Sequence, residues 1–322
     1  MKVGTPDYLR FCAADESLMS TSRKFLTAPV FVLALLAAAA VAQGTGRWMS
    51  GAVMPSERSE VAVAEVREKI YVLGGFRGEL ELEIYDPSMD RWSRGAAIPR
   101  AVHHAAAVGL NGKIYLIGGY VDGWMPSDEV HEYDPASNVW RALARMPTPR
   151  GALGAAVING KIHAVSGNSW RDRNSGAHEV YDPETNRWIA LAAIPTPRDH
   201  LAVAAVEGRL YAIGGRVNGN YASNLDVNEV YDPQSDRWQR LSPIPTARSG
   251  IAAAVLQGRI FVVGGETTTG TFNQVEAYDP KSDRWTSHAR LPTPRHGLGA
   301  AVHAGVYTSF LVARRLARLT RR

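Results

Sequence analysis

The chain of 322 residues is 45% hydrophobic and 21% charged, a composition that supports a packed core and excludes a disordered chain. Its formal charge of +5 is concentrated at the ends. The first 42 residues hold a small basic surplus and the last ten hold five Arg and no acid, so the body between them is close to neutral. That placement removes the electrostatic case for a nucleic-acid partner, and none is expected.

In chain order, the first feature is the apolar run FLTAPVFVLALLAAAAVA at residues 25–42, behind Arg23-Lys24 and ahead of Gln43-Gly44. A basic start, an apolar core and the ending Ala40-Val41-Ala42 form a secretory signal pattern. Pro29 interrupts the run, which lies at the lower edge of what spans a bilayer. Residues 1–42 therefore read as leader and signal peptide, with Met19 as the expected start and the product exported to the periplasm or secreted. Membrane contact would come only through an uncleaved segment. Cys12, the single cysteine, lies in this leader, so the mature chain is expected to hold no disulfide, thiol nucleophile or cysteine metal site.

Internal repeats dominate the rest of the chain. Trp48, Trp92, Trp140, Trp188, Trp238 and Trp285 recur at intervals of 44–50 residues. Seven residues before the last five stands Tyr-Asp-Pro, at Tyr85, Tyr133, Tyr181, Tyr231 and Tyr278. Upstream of each lies a β-rich run ending in small residues: Ile70–Gly75, Ile114–Gly119, the degenerate Ile162–Gly167, Leu210–Gly215 and Phe261–Gly265. Each unit reads as four short strands. Strand A is small and apolar, B ends at the double glycine, C carries the Tyr and D the Trp. The turn Asp-Pro-x-x-Asp/Asn joins C to D, since Asp bonds nearby amides and Pro presets φ. Such a unit predicts a propeller blade.

With these double-glycine, Tyr and Trp sets in register, the sequence resembles the Kelch repeat family over roughly residues 47–307. The resemblance implies an all-β, six-bladed Kelch-type β-propeller spanning 43–311, followed by an Arg-rich tail at 312–322. Five units run from Arg58 to Trp285; Trp48 supplies a lone strand D and Arg295–Tyr307 a sixth strand A. The sixth blade is thus expected to be composite and incomplete, because no double glycine or Tyr-Asp-Pro follows Tyr307. A self-solvating tail and a truncated or frame-shifted sixth blade both remain open for 312–322.

Alternating strand direction puts the D–A and B–C loops on one face. The D–A loops repeat Pro-Thr-Pro-Arg or close variants, placing Arg58, Arg150, Arg198, Arg248 and Arg295 ten residues after a Trp. These five could ring a channel mouth and favour carboxylate or phosphate; the resemblance implies the same, since ligand-binding Kelch domains often line their pocket with such arginines. Alternatively, each Arg braces its own turn or a neighbouring blade. Just inside stand Glu60, His103, His104, Asp199, His200 and His296. The B–C loops add Trp124, Trp170, Arg171 and Tyr221, suited to sugar stacking or a protein hot spot, or to packing over adjacent blades.

The pairs His103-His104 and Asp199-His200 invite a metal or general-base reading. Adjacent strand residues point to opposite sides, however, so each pair is expected to give one side chain to the channel, and neither metal nor cofactor is expected. The absence of cysteine after residue 12 excludes the family's copper-oxidase chemistry. The expectation is a monomeric binding module for a protein partner or a small anionic or carbohydrate ligand. The alternative is an enzyme on acidic sugars, such as an epimerase or mutarotase, with Asp199 or His200 as acid or base.

Overall fold

In the computed structural model, residues 8–13, 46–170, 173–303 and 306–310 are described. They form six four-stranded antiparallel sheets and no α-helix. The first blade runs Ala62–Val66, Lys69–Leu73, Leu82–Asp86 and Arg91–Arg94, and the next four repeat it. Strand A of each blade packs against strand A of the next, and Gly299–His303 of the sixth packs against Ala62–Val66 of the first. The ring is therefore closed.

The sixth blade departs from expectation. Its strand A is Gly299–His303, its strand B Val306–Phe310 and its strand D Gly46–Gly51. The place of strand C, expected to be vacant, is taken by Tyr8–Ala13, with Leu9 opposite Ser309 and Phe11 opposite Trp48. Two open strand edges recruit whatever extended segment can satisfy their backbone groups. This part of the expected leader is thus a sheet element. The apolar run 25–42 and the tail 312–322 fall outside the described residues, and no helix among the described residues is long and apolar enough to cross a membrane.

Two repeated devices lock neighbouring blades. Each framework Trp donates Nε1–H to a carbonyl of the preceding blade: Trp92 to Ala52, Trp140 to Ala96, Trp188 to Ala144, Trp238 to Ala192 and Trp285 to Ser242. Trp48 donates to Ala289, across 241 residues, and so completes the circle. The amide of Ala52, Ala96, Ala144, Ala192 or Ser242 is held by Asp90, Asn138, Asn186, Asp236 or Asp283 respectively. The same acceptor takes the hydroxyl of its blade's Tyr. The Asp-Pro-x-x-Asp/Asn turn therefore serves three ends: it turns the chain, satisfies a buried phenol and clasps the preceding blade.

At the axis, the second residue after each Arg position adopts left-handed φ: Glu60, His104, Ala152, His200, Gly250 and Gly297, all between 53° and 63°. Each amide donates to the matching carbonyl of a neighbouring blade. The circuit runs Glu60 to Gly297, Gly297 to Gly250, Gly250 to His200, His200 to Ala152, Ala152 to His104 and His104 back to Glu60. Six blades share one backbone ring of hydrogen bonds, 2.8–3.2 Å long.

Candidate functional site

The five arginines do not line an open mouth. Arg58, Arg150, Arg198, Arg248 and Arg295 are buried, the middle three with no exposure at all. Arg58 pairs with Glu83 at 2.8 Å, Arg150 with Glu179 at 2.7 Å, Arg198 with Glu229 at 2.6 Å, and Arg248 with Glu276. Each Glu lies on strand C of the same blade, two residues before the Tyr. The Pro-Thr-Pro-Arg repeat is explained by this clamp. The Thr hydroxyl two residues before the Arg donates to the same carboxylate in three blades, and Ser56 does so in the first. The guanidinium directs its remaining donors at blade carbonyls, as Arg198 does at Gly214, Thr196 and Ala212. Burial pulls the guanidinium pKa of Arg58, Arg150 and Arg198 below its ordinary value, with the Glu opposing. Arg295 is buried and donates to the Thr293 carbonyl. The bracing alternative is therefore the one the fold realises, because each guanidinium is buried within its own blade and presents no face to solvent.

The second blade supports the logic by omission. Val102 stands at the Arg position and His131 at the Glu position, beside a cavity of about 10 Å³ that holds one water at most. Arg100, two residues early, pairs instead with Asp122 and Glu129 near the surface.

What converges at the axis is a polar cluster around a cavity of about 110 Å³, lined by Glu60, His104, Ala152, His200, Gly250 and Gly297 among others. One member of each suspected pair lines it, His104 and His200, as strand alternation predicts, and the other stands directly against it. His103 Nδ1 lies 2.6 Å from His104 Nδ1, and His200 Nδ1 lies 2.6 Å from Asp199 Oδ1. What alternation does not foresee is the contact within each pair: the left-handed turn at His104 and His200 swings the adjacent side chains together.

The hydrogen bonds fix the imidazole tautomers. His103 Nε2 bonds the Gly123 carbonyl and must donate, so its Nδ1 accepts from His104 Nδ1–H, and His104 Nε2 carries a lone pair. That lone pair lies 3.3 Å from Glu60 Oε2. His200 donates Nδ1–H to Asp199, so its Nε2 accepts from Arg216 Nη2 at 2.9 Å. Arg216 also binds Asp199 and Glu266 and lies 4.2 Å over the Tyr221 ring. His296 Nε2 stands 3.4 Å from Glu266 and 3.8 Å from Glu60.

Charge is set by these contacts. Burial, reinforced by Glu266, pushes the Glu60 carboxyl up to about 8. Burial drives His104 well below its ordinary pKa, and drives His200 down against the pull of Asp199. Burial raises Asp199, but bonds from His200, Asn174 and the Gly219 amide outweigh it and the net shift is downward. Arg216 is raised, since Glu266 and Asp199 overcome its burial. At neutral pH, therefore, His104 and His200 are neutral imidazoles beside the Arg216 guanidinium, the Asp199 carboxylate and a largely protonated Glu60.

Above the cluster rise the B–C loops. Trp124 is 62% exposed yet stands against Phe76, His103, His104 and Tyr120, with ring centroids 4.9–5.7 Å away. Trp170 and Tyr221 are exposed on the same set of loops. Arg171 lies outside the described residues. Of the predicted residues, Asp199 and His200 join the axial cluster, and Trp124, Trp170 and Tyr221 belong to its exposed loops. Sequence reasoning missed Glu266 and gave Arg216 no special role. Both occupy the position after the double glycine, which in every complete blade bridges the residue following the Arg position; polar residues there were the available signal.

The comparisons agree with this architecture. The family model described as the KLHDC2/KLHL20/DRC7 Kelch-repeats domain matches residues 43–215 and 175–311. Among solved structures, one titled "Structure of YjhT" superposes with a TM-score of 0.69 at 16% identity, covering 80% of this chain and 94% of that one, a likeness of fold. No curated protein matches the chain in sequence.

Proposed function

The chain belongs to the Kelch-repeat family, and from that premise we propose that it is an exported binding module holding a partner protein against its B–C loop face. A Kelch propeller is a protein-interaction scaffold, and its fold leaves the choice of partner to the loops. The observation that carries the reading is Trp124, a large ring held rigid from below by four aromatic neighbours and open above. Such a preordered aromatic loses little entropy on contact and is the usual anchor of an interface. The axial cavity beneath it is smaller than the several hundred cubic ångströms a drug-sized ligand fills, and suits a single protruding side chain. With the five arginines consumed internally, the case for an anionic ligand weakens, and the three acids at the axis favour a cationic or hydroxyl-bearing tip.

The test is affinity capture from cell-envelope extract with wild-type protein and with Trp124→Ser. A protein retained by the first and lost by the second, with both variants melting at the same temperature, supports the reading. Equal capture by both, or no capture by wild type, overturns it. Export rests on the apolar run 25–42 and competes with the placement of Tyr8–Ala13 in the sixth sheet. Sequencing the N-terminus of the cell-derived protein decides: a start near Gln43 supports cleavage, and retention of Tyr8–Ala13 excludes it.

A further inference from the structure

We propose that the propeller axis is a divalent transition-metal site, with Glu60, His104 and His200 as its protein ligands. Each residue offers one atom, and the three atoms lie within 4.8 Å of one another. Glu60 with Glu266 and His296 forms a second such trio, so carboxylates close the far side. Two imidazole nitrogens and a carboxylate oxygen suit zinc, cobalt, nickel, copper or ferrous iron rather than calcium or magnesium, which prefer all-oxygen shells.

Convergence alone is weak, and the tautomers add an independent argument. His104 is 4% exposed in its side chain, and its Nδ1–H is committed to His103, so the Nε2 lone pair points at Glu60 Oε2. A lone pair and a carboxyl oxygen facing each other at 3.3 Å in a buried place are bridged either by a proton held on the carboxyl or by a metal ion that displaces it. His200 is oriented by the Asp199 carboxylate on its other nitrogen, the arrangement by which proteins fix a ligating imidazole and raise its basicity. Its Nε2 already faces a positive group, Arg216 Nη2, which must yield that one bond while retaining Asp199 and Glu266. The glycine at 297 leaves room for the Glu60 carboxyl: a Cβ there would stand 2.5 Å from Glu60 Oε1. His104, Glu60 and His200 also line the axial cavity, which offers space for the ion.

The inference is independent of the partner-protein reading, since the probe is the metal alone. Full-length protein is stripped with chelator, then titrated with zinc chloride by calorimetry and with cobalt chloride by visible absorption. The expected result is one site per chain with micromolar or tighter affinity, and cobalt bands of a low-coordinate nitrogen-oxygen site. Glu60→Gln and His104→Gln are expected to weaken binding at least about 100-fold by removing a ligand, and Asp199→Asn about 10–100-fold by loosening an orienting partner. Absence of saturable binding to folded wild-type protein overturns the proposal, as does unchanged affinity in folded Glu60→Gln. Should the ligand variants fail to fold, the cobalt spectrum of wild type and the affinity of Asp199→Asn decide in their place: an octahedral all-oxygen spectrum, or unaltered affinity, overturns it.

Discussion

Arg198 Nη1 lies 2.6 Å from Glu229 Oε2, with the guanidinium wholly out of solvent and the carboxylate nearly so. The pair ties the loop entering strand A to strand C of the same blade, and three further blades repeat it. A charge removed from such a pair leaves its partner buried and uncompensated.

Arg198→Met is therefore expected to destabilise the protein by about 3–5 kcal/mol, and Glu229→Met by a similar amount. The double variant Arg198→Met/Glu229→Met should lose less than the sum, as the second blade already lives with Val102 and His131 at these places. Urea unfolding of the four proteins reads the coupling directly. Variants as stable as wild type would return the arginines to the role of a free ligand-binding ring.

The blade framework was legible because each of its parts recurs at one spacing. Trp188, Tyr181 and Asn186 form one clasp, and clasps obey local geometry that repeats in sequence. The role of the arginines was not legible, because their partners stand 25–31 residues downstream and the spacing varies with B–C loop length. A Glu two residues before each Tyr-Asp-Pro, missing only where the Arg is missing, was the overlooked signature. The pairing of His103 with His104 was hidden for another reason: it depends on a positive φ at a non-glycine residue, which side-chain alternation does not foresee. Tyr8–Ala13 carried none of the repeat's marks and could not be found from them.

The ring of left-handed residues at the axis sets up a graded test. Gly250 and Gly297 occupy the same position and nearly the same φ, 63° and 59°. An added methyl at Gly250 would meet Glu266 Oε1 at 3.0 Å, the movable end of a side chain. At Gly297 it would meet the Glu60 amide nitrogen at 2.8 Å as well as Glu60 Oε1 at 2.5 Å. Backbone cannot retreat without breaking the Glu60–Gly297 bond that joins the first and sixth blades.

Both alanine variants lose about 1–2 kcal/mol to a left-handed β-carbon, a conformation Ala152 already holds in the third blade. Gly297→Ala is expected to cost at least about 1 kcal/mol more than Gly250→Ala, a difference set by overpacking. Chemical denaturation of the pair measures it. Equal losses would mean that the closing bond between first and sixth blades bears no special share of stability.

The third blade supplies the clearest dependence on pH. His163 Nδ1 and His178 Nε2 lie 2.9 Å apart inside it, where the other blades carry Tyr or Phe at the first position and Leu, Val or Asn at the second. Burial lowers His163 to about 4 and His178 to about 3, against an ordinary value of 6.5. Above 6.5 both states are neutral and the pair has no effect on the pH dependence. As pH falls below 6.5 the unfolded chain takes up protons that the folded chain refuses, so stability is lost down to about pH 4. Two such groups can remove a few kcal/mol across that window. His163→Tyr with His178→Val copies the second blade, whose Tyr115 and Val130 stand at these positions, and lets residue 163 meet Tyr231 as Tyr115 meets Tyr181. Urea midpoints measured from pH 7.5 to pH 4.5 are expected to fall steeply for wild type and more shallowly for the double variant. Parallel slopes would show that the acid sensitivity arises elsewhere than in this pair.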